Sequence, residues 1–160
     1  MLVLGIDPGI ANTGWGIVDF AGQRFQPVCY GVINTDPDDR LDHRIAVIAE
    51  SVSQIAQKYQ VKQISMEDIF FAKNEVSAIG VAKVIGAICY AAYKLEVPVT
   101  MFTPMQIKIA ITGYGKAEKK QVMEMTKQLL GLAQIPKPDD AADALAIAIC
   151  HGHSTRFDLK

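Results

Sequence analysis

The sequence has 160 residues, half of them hydrophobic, and a net charge of −1 at pH 7. This length favours a single domain covering residues 1–160, and this composition excludes a disordered chain. A net charge so close to zero is not typical of nucleic-acid-binding proteins, so DNA binding would require a local group of basic residues.

The first part of the chain has the pattern of an antiparallel meander. Leu2–Asp7 is an apolar run that stops at the turn residues Pro8-Gly9, which predicts a buried strand. Residues 14–20 and 27–35 follow at hairpin spacing around a short turn at 21–23. We therefore predict three consecutive antiparallel strands.

Helices and strands alternate in the rest of the chain. The predicted helices cover residues 38–59, 76–95, a short segment opened by Pro104, 118–130 and 139–150, and the predicted strands cover 61–67 and 97–103. The first helix is indicated by apolar residues at helical spacing, such as Leu41, Ile45 and Ile48. This order predicts an α/β fold in which a mixed sheet is flanked by helices.

The cysteines and the apolar stretches predict a cytoplasmic protein with no membrane partner. Cys29, Cys89 and Cys150 are widely spaced among apolar residues, so we expect buried, reduced thiols rather than disulfides. Residues 1–9 lack the basic segment and cleavage site of a signal peptide. The longest apolar stretch, residues 76–93, contains a lysine and many Ala and Gly residues, which favours a packed core helix over a membrane span.

Two acidic residues end predicted strands. Asp7 and Glu67 each follow an apolar run, and the carboxyl ends of strands are where α/β sheets usually bind ligands. Taken alone, each acid is equally well explained as a solvated strand end.

Three further acids open the last predicted helix, which is otherwise small and apolar. Asp140 and Asp143 share a face at i, i+3, and Asp139 and Asp143 could converge as well at i, i+4. Asp139 and Asp140 could instead cap the helix, but capping does not easily account for Asp143. Burying such acids without a cation is costly, so the pattern indicates a metal site.

The donor types indicate which metal to expect. Carboxylates without His or Cys suit Mg²⁺ or Mn²⁺, and two such ions would activate a water and stabilise the leaving oxygen of a phosphodiester. His151 and His153 adjoin Cys150 near the end of the last helix, but their spacing matches no standard zinc site.

Three groups of residues occur in order along nearly the whole chain. They are residues 5–9 (GIDPG) with 13–16 (TGWG), residues 67–74 (EDIFFAKN) with 77–78 (SA), and residues 140–146 (DAADALA). Together they resemble the RuvC family of bacterial Holliday-junction resolvases. The resemblance implies a ribonuclease-H-like fold with a mixed five-stranded sheet flanked by helices, and an endonuclease that resolves four-way DNA junctions by paired symmetric nicks.

The resemblance also implies the composition of the active centre. It makes Asp7, Glu67, Asp140 and Asp143 the catalytic ligands of two Mg²⁺ ions, with Mn²⁺ expected to support activity too. It favours Asp140 over Asp139, because the family's D-A-A-D run begins at residue 140. The expected reaction is metal-dependent hydrolysis that leaves 5′-phosphate ends.

An aromatic and polar segment follows Glu67 and is expected to contact DNA. The resemblance places Phe70 at the junction's crossover, and Lys73 and Asn74 form a polar loop beside it. From the residues alone, either Phe70 or Phe71 could stack on bases while the other anchors the core.

Basic residues are concentrated in one region. Residues 70–130 contain eight lysines and four glutamates, and such segregation supports phosphate binding. The resemblance assigns DNA contacts to Lys108 and Lys119, and Lys120 lies beside the latter. A solvated helix face is the ordinary explanation for most of these lysines taken singly.

The partners expected from the resemblance are four-way junction DNA, a second copy of the chain, and the branch-migration complex of the Ruv system. The predicted helix at 76–95 contains Gly80, Gly86 and several alanines, which could serve both sheet packing and a homodimer interface.

Three other functions stay open at this stage. An actin-like ATP-binding domain could use Asp7-Pro8-Gly9 for phosphate, but it needs a second lobe and leaves Glu67 unexplained. A ribonuclease-H-like nuclease for structured RNA would carry the same acids. A catalytically inactive junction-binding protein would not need four intact carboxylates.

Overall fold

The computed structural model describes residues 1–22, 24–69 and 75–157. Within them the five strands are β1 (Leu2–Asp7), β2 (Asn12–Ala21), β3 (Arg24–Asn34), β4 (Gln63–Glu67) and β5 (Val99–Phe102). They form one sheet in the order β3-β2-β1-β4-β5. The first three strands are antiparallel, whereas β4 is parallel to β1 and β5 is parallel to β4. The predicted mixed five-stranded sheet is confirmed.

Helices cover both faces of the sheet. They are α1 (Leu41–Tyr59), α2 (Glu75–Lys94), α3 (Pro104–Thr112), α4 (Lys119–Leu129) and α5 (Asp139–Phe157). Alternate residues of each strand enter different cores. Leu4 and Ile6 of β1 pack with α1 and α2, whereas Val3 packs with α3, α4 and α5. By this alternation Asp7 is on the α5 face of β1.

Helix α5 lies unusually close to the sheet because glycines face it. A Cβ atom added at Gly5 would stand 2.0 Å from the carbonyl oxygen of Ala144, and one added at Gly14 would stand 2.0 Å from that of Asp140. Since both obstacles are backbone atoms, no side-chain rotation could relieve the clash. Gly5 and Gly14 therefore set the distance between the sheet and the first turns of α5.

The last helix is longer than the sequence predicts, since it runs to Phe157 rather than ending near Cys150. The two histidines that follow Cys150 pack against the protein instead of ending the helix. His151 is buried, and the Nδ1 atom of His153 lies 2.7 Å from the carbonyl oxygen of Ala110. Tertiary packing thus extends α5 past the point where the apolar pattern stops.

Helix α2 is less buried than a core helix. Val84, Ile88 and Ala92 enter the core with α1, but Tyr90 and Tyr93 are 67% and 77% exposed. The prediction of a packed core helix is therefore wrong for one face of α2. Among the described residues, Val76–Lys94 has the length and composition of a membrane span, but it is an integral helix of this α/β fold, which is that of a non-membrane protein.

The three cysteines are free thiols, as predicted, but they are not equally buried. Cys150 is buried, whereas Cys29 and Cys89 are half-buried, so the expectation of three buried thiols is wrong for these two. Burial raises the pKa of Cys150 to about 11 and also raises the pKa of Cys89. Both groups are thus held as unreactive thiols at neutral pH.

Candidate active site

Asp7 and Glu67 are brought side by side by the central pair of parallel strands. Ile6 of β1 pairs with Met66 of β4, so the next residue of each strand is an acid at the same edge of the sheet. Both side chains are half-buried and line the same cleft. The sequence predicted each acid at a strand end, and the strand order makes them neighbours.

The turns that follow these two acids are held by hydrogen bonds. The hydroxyl of Thr13, which is buried, donates to the carbonyl oxygen of Gly9 at 2.6 Å and so closes the turn after Asp7. The backbone N–H of Asp68 donates to the carbonyl oxygen of Phe102 at 2.8 Å, directly after Glu67. The supporting role of Thr13 was not predicted, although the residue belongs to the T-G-W-G run.

The first turns of α5 supply the other two carboxylates. Asp143 lines the cleft with Asp7, and the negative charge of Asp140 acts on both of them. Asp139 is exposed, and its carboxylate pairs with the ammonium of Lys137 at 3.1 Å. The spacing alone allowed Asp143 to act with either Asp139 or Asp140. In the structure Asp140 is nearer the carboxylate cluster, and Asp139 is at the surface.

The electrostatics show how closely these acids are gathered. Burial, followed by the charges of Glu67, Asp143 and Asp140, raises the pKa of Asp7 to about 7. Burial and Asp143 raise the pKa of Glu67, and burial is also the main cause of the raised pKa of Asp143. Carboxyl groups that resist ionisation together are typical of a site that accepts a cation.

Two of the lysines predicted to contact DNA face the same cleft. Lys108 of α3 and Lys119 of α4 both line it, and the charge of each lowers the pKa of Glu67. The ammonium of Lys119 lies 2.9 Å from the Oδ2 atom of Asp143. A solvated helix face does not describe Lys119, which takes part in the carboxylate cluster.

The cleft has a volume of about 310 Å³ and an apolar rear wall. Its apolar lining consists of Pro104, Ile107, Val122 and Ala146. The sequence did not identify them as site residues, because Pro104 is explained as a helix start and the others as ordinary core residues. Asp7 and Glu67 also line a second hollow of about 240 Å³, which reaches the start of α2. Asp7 and Glu67 therefore border both the main cleft and this second cavity.

The donor set fits hard divalent cations. All four acids offer oxygen ligands, and the cluster already attracts a cation, the ammonium of Lys119. Within residues 1–22, 24–69 and 75–157, no three Asp, Glu, His or Cys side chains stand close enough to close around a metal ion. The carboxylates therefore border an open cleft, and their side chains would have to rotate toward an incoming ion.

Lys120 is the one remaining predicted DNA contact among the described residues. Lys120 is exposed and is not part of the cleft lining. Phe70, Lys73 and Asn74, together with the alternative Phe71, lie outside the described residues.

The fold closely matches that of a solved nuclease. Thermus thermophilus RuvC, in a structure described as a complex with a Holliday junction substrate, superposes with a TM-score of 0.93 at 34% identity. The match covers 99% of this chain and 96% of that one. The match and the carboxylate-lined cleft together assign the chain to the ribonuclease-H-like class of nucleases.

Sequence comparisons identify the family. A model described as crossover junction endodeoxyribonuclease RuvC matches residues 3–151. The enzyme of that name from Desulforamulus reducens is 46% identical over 151 residues, or 94% of this chain and 93% of the relative. The one from Brevibacillus brevis is 48% identical over 157 residues, or 98% and 95%. The chain belongs to the RuvC family of crossover junction endodeoxyribonucleases, which are metal-dependent nucleases.

Proposed function

We propose that this chain, acting as one nuclease domain over residues 1–160, resolves four-way DNA junctions by hydrolysing one phosphodiester in each of two equivalent strands. The observation that carries the proposal is that Asp7 and Glu67 of the sheet and Asp143 of α5 line one cleft, while the charge of Asp140 acts on Asp7. Family membership and the likeness to a junction-bound relative supply the substrate class.

We assign the four carboxylates as the ligands of two Mg²⁺ ions, and we expect Mn²⁺ to replace them. When bound, such ions activate a water molecule and stabilise the leaving oxygen, which leaves 5′-phosphate and 3′-hydroxyl ends. Asp7 retains a proton part of the time at neutral pH, because its pKa is raised to about 7. It must release that proton before it can bind a cation fully.

The lysines and the segment after Glu67 are proposed to hold the DNA. Lys108 faces the cleft beside Glu67, where it can bind a phosphate close to the cut. Lys120 is exposed one residue after Lys119 and can bind a phosphate farther out. For Phe70 we keep the place at the crossover that the family resemblance gives it, and for Lys73 and Asn74 we keep the DNA contact expected of a polar segment beside it.

The exposed face of α2 supports a homodimer. Ile79, Gly86, Tyr90 and Tyr93 follow one another at helical spacing along this face, and the three large side chains are all more than half exposed. Among the described residues outside the neighbouring turns of α2, a Cβ atom at Gly86 would meet no atom within 4 Å, whereas one at Gly80 would meet the side chain of Ile10. Gly80 therefore serves packing within the chain, and Gly86 leaves room for a partner helix.

Tyr90→Glu is expected to convert a dimer into a folded monomer, because a charge would be buried in the interface but exposed in the free chain. Sedimentation velocity would measure the mass. On a supercoiled cruciform plasmid, the wild type should produce linear DNA by paired cuts and the variant mainly nicked circles. Val28→Glu, at an exposed apolar residue of β3, is the control that should stay dimeric. A monomeric wild type that yields nicked circles would contradict the dimer.

The proposed activity can be tested with a mobile four-way junction, a matched duplex and a structured RNA, each with and without Mg²⁺. We expect cleavage of the junction alone, with Mg²⁺ required and with products that a ligase can seal. Cleavage of the RNA in preference to the junction would instead identify a structure-specific ribonuclease. Binding of the junction without any cleavage would identify an inactive junction-binding protein.

Two further parts of the proposal rest on the family alone. We expect the enzyme to act in the cytoplasm, where its substrate arises in bacteria, and to act together with the branch-migration complex of the Ruv system. Co-purification of that complex with the wild-type protein on a junction would test the second expectation.

A further inference from the structure

Lys119 is positioned beside the carboxylate cluster by the turn that precedes α4. The helix starts at this residue, and the preceding turn is anchored by Ala117, whose side chain is buried. The N–H of Ala117 donates to the carbonyl oxygen of Tyr114 at 3.1 Å, which closes that turn. The start of α4 therefore has a defined position from which the Lys119 side chain reaches Asp143.

The ammonium of Lys119 neutralises part of the cluster. It donates to Asp143 at 2.9 Å, and its charge also lowers the pKa of Asp7 and Glu67. A metal ligand that accepts a hydrogen bond from an ammonium group has one oxygen engaged, and a divalent ion nearby would be repelled by the same positive charge.

The Lys119 side chain is free enough to leave. It is 59% exposed, compared with 24% for Asp143, and its long unbranched chain can rotate without disturbing the core. The backbone of Asp143, in contrast, is held within a buried stretch of α5. An exchange of cations at this site therefore requires movement of the lysine side chain and not of the backbone.

We propose that Lys119 is the internal counter-ion of the metal-free site and is displaced from Asp143 when a divalent ion binds. The inference rests on the proposed function, in which the carboxylates are metal ligands. The displaced ammonium becomes available to a DNA phosphate at the moment when the site becomes loaded. Metal binding and phosphate binding through Lys119 then favour each other, as linkage requires.

This arrangement gives Lys119 two effects of opposite sign. In the absence of DNA its removal should strengthen metal binding, because the competing cation is gone. In the presence of junction DNA its removal should weaken binding and lower the salt dependence by about one unit of logarithmic slope, since one phosphate contact is lost. A purely structural role would not strengthen metal binding.

The test measures Mn²⁺ binding to the DNA-free protein by electron paramagnetic resonance of the unbound ion at pH 8. Lys119→Ala and Lys119→Gln should each bind Mn²⁺ about fivefold more tightly than the wild type, or tighter still. Lys119→Arg, which keeps the cation, should bind like the wild type. Lys120→Ala is the matched control, because it removes the same charge one residue away from the cleft lining, and it should change the affinity less than twofold.

The outcomes separate the inference from the proposed function. Unchanged or weaker Mn²⁺ binding by both neutral Lys119 variants, with normal binding by the wild type, would overturn the counter-ion role and leave the metal site intact. A wild type that binds no Mn²⁺, or a Glu67→Gln variant that binds it normally, would overturn the assignment of the carboxylates and the inference with it.

Discussion

Glu67→Gln is expected to lower junction cleavage in Mg²⁺ by at least about 100-fold while junction binding is retained. Loss of a group that merely orients a metal ligand already costs 10- to 100-fold, and the loss of a ligand itself should cost more. The amide has nearly the shape of the carboxylate, so the fold should be preserved. Removing one negative charge from the cleft should leave DNA affinity equal or higher.

Single-turnover cleavage of a labelled junction and a gel-shift titration in Ca²⁺ would measure the two effects separately. Asp139→Asn is the control, because this neighbouring acid is exposed and paired with Lys137. It should cut at close to the wild-type rate. Cleavage by Glu67→Gln at the wild-type rate would contradict the assignment of Glu67 as a catalytic residue.

Asp7→Asn is expected to make the metal-free protein more stable at pH 8, by about 2–4 kcal/mol. The pKa of Asp7 is raised from 3.8 to about 7, so the unfolded chain loses this proton at a lower pH than the folded protein does. Ionisation therefore opposes folding progressively from about pH 4 to pH 7, and the full penalty is present above pH 7. Asparagine carries no charge and avoids the penalty at every pH.

Urea unfolding in EDTA across pH 5–8 would measure this difference, which should shrink as the pH falls. Addition of Mg²⁺ should reverse the order, because the wild type gains stability from the bound ion and the variant gains little. Asp139→Asn should change stability by less than about 0.5 kcal/mol throughout, as is usual for an exposed residue. A wild type as stable as Asp7→Asn at pH 8 in EDTA would contradict the inference that ionised Asp7 destabilises the metal-free fold.

The sheet and the carboxylates could be predicted because their signals are local. The apolar run Leu2–Asp7 has the same bounds in the structure, and the order of hairpin strands followed by alternating elements gave the mixed sheet. The acids could be located because an acid at the end of a buried strand, or within an apolar helix, breaks a regular pattern. The choice of Asp140 over Asp139 required the family resemblance.

The remaining features depend on contacts between distant parts of the chain. Lys119 and Lys120 are both lysines at the start of α4, and no pattern shows that the first meets Asp143, 24 residues away. The hydropathy of α2 is the same whether its apolar face meets its own core or a partner. The extension of α5 to Phe157 depends on packing of His151 and His153.

The close approach of α5 at Gly5 and Gly14 has a consequence for how this enzyme family can change. Two of the proposed ligands come from the sheet and two from the helix, so their separation is set where backbone touches backbone. Interfaces made of side chains adjust to substitution by changing rotamers, whereas this contact has no adjustable part. We therefore expect substitutions in the side-chain core, for example at Ile149, to change thermal stability more than they change the spacing of the proposed metal ligands.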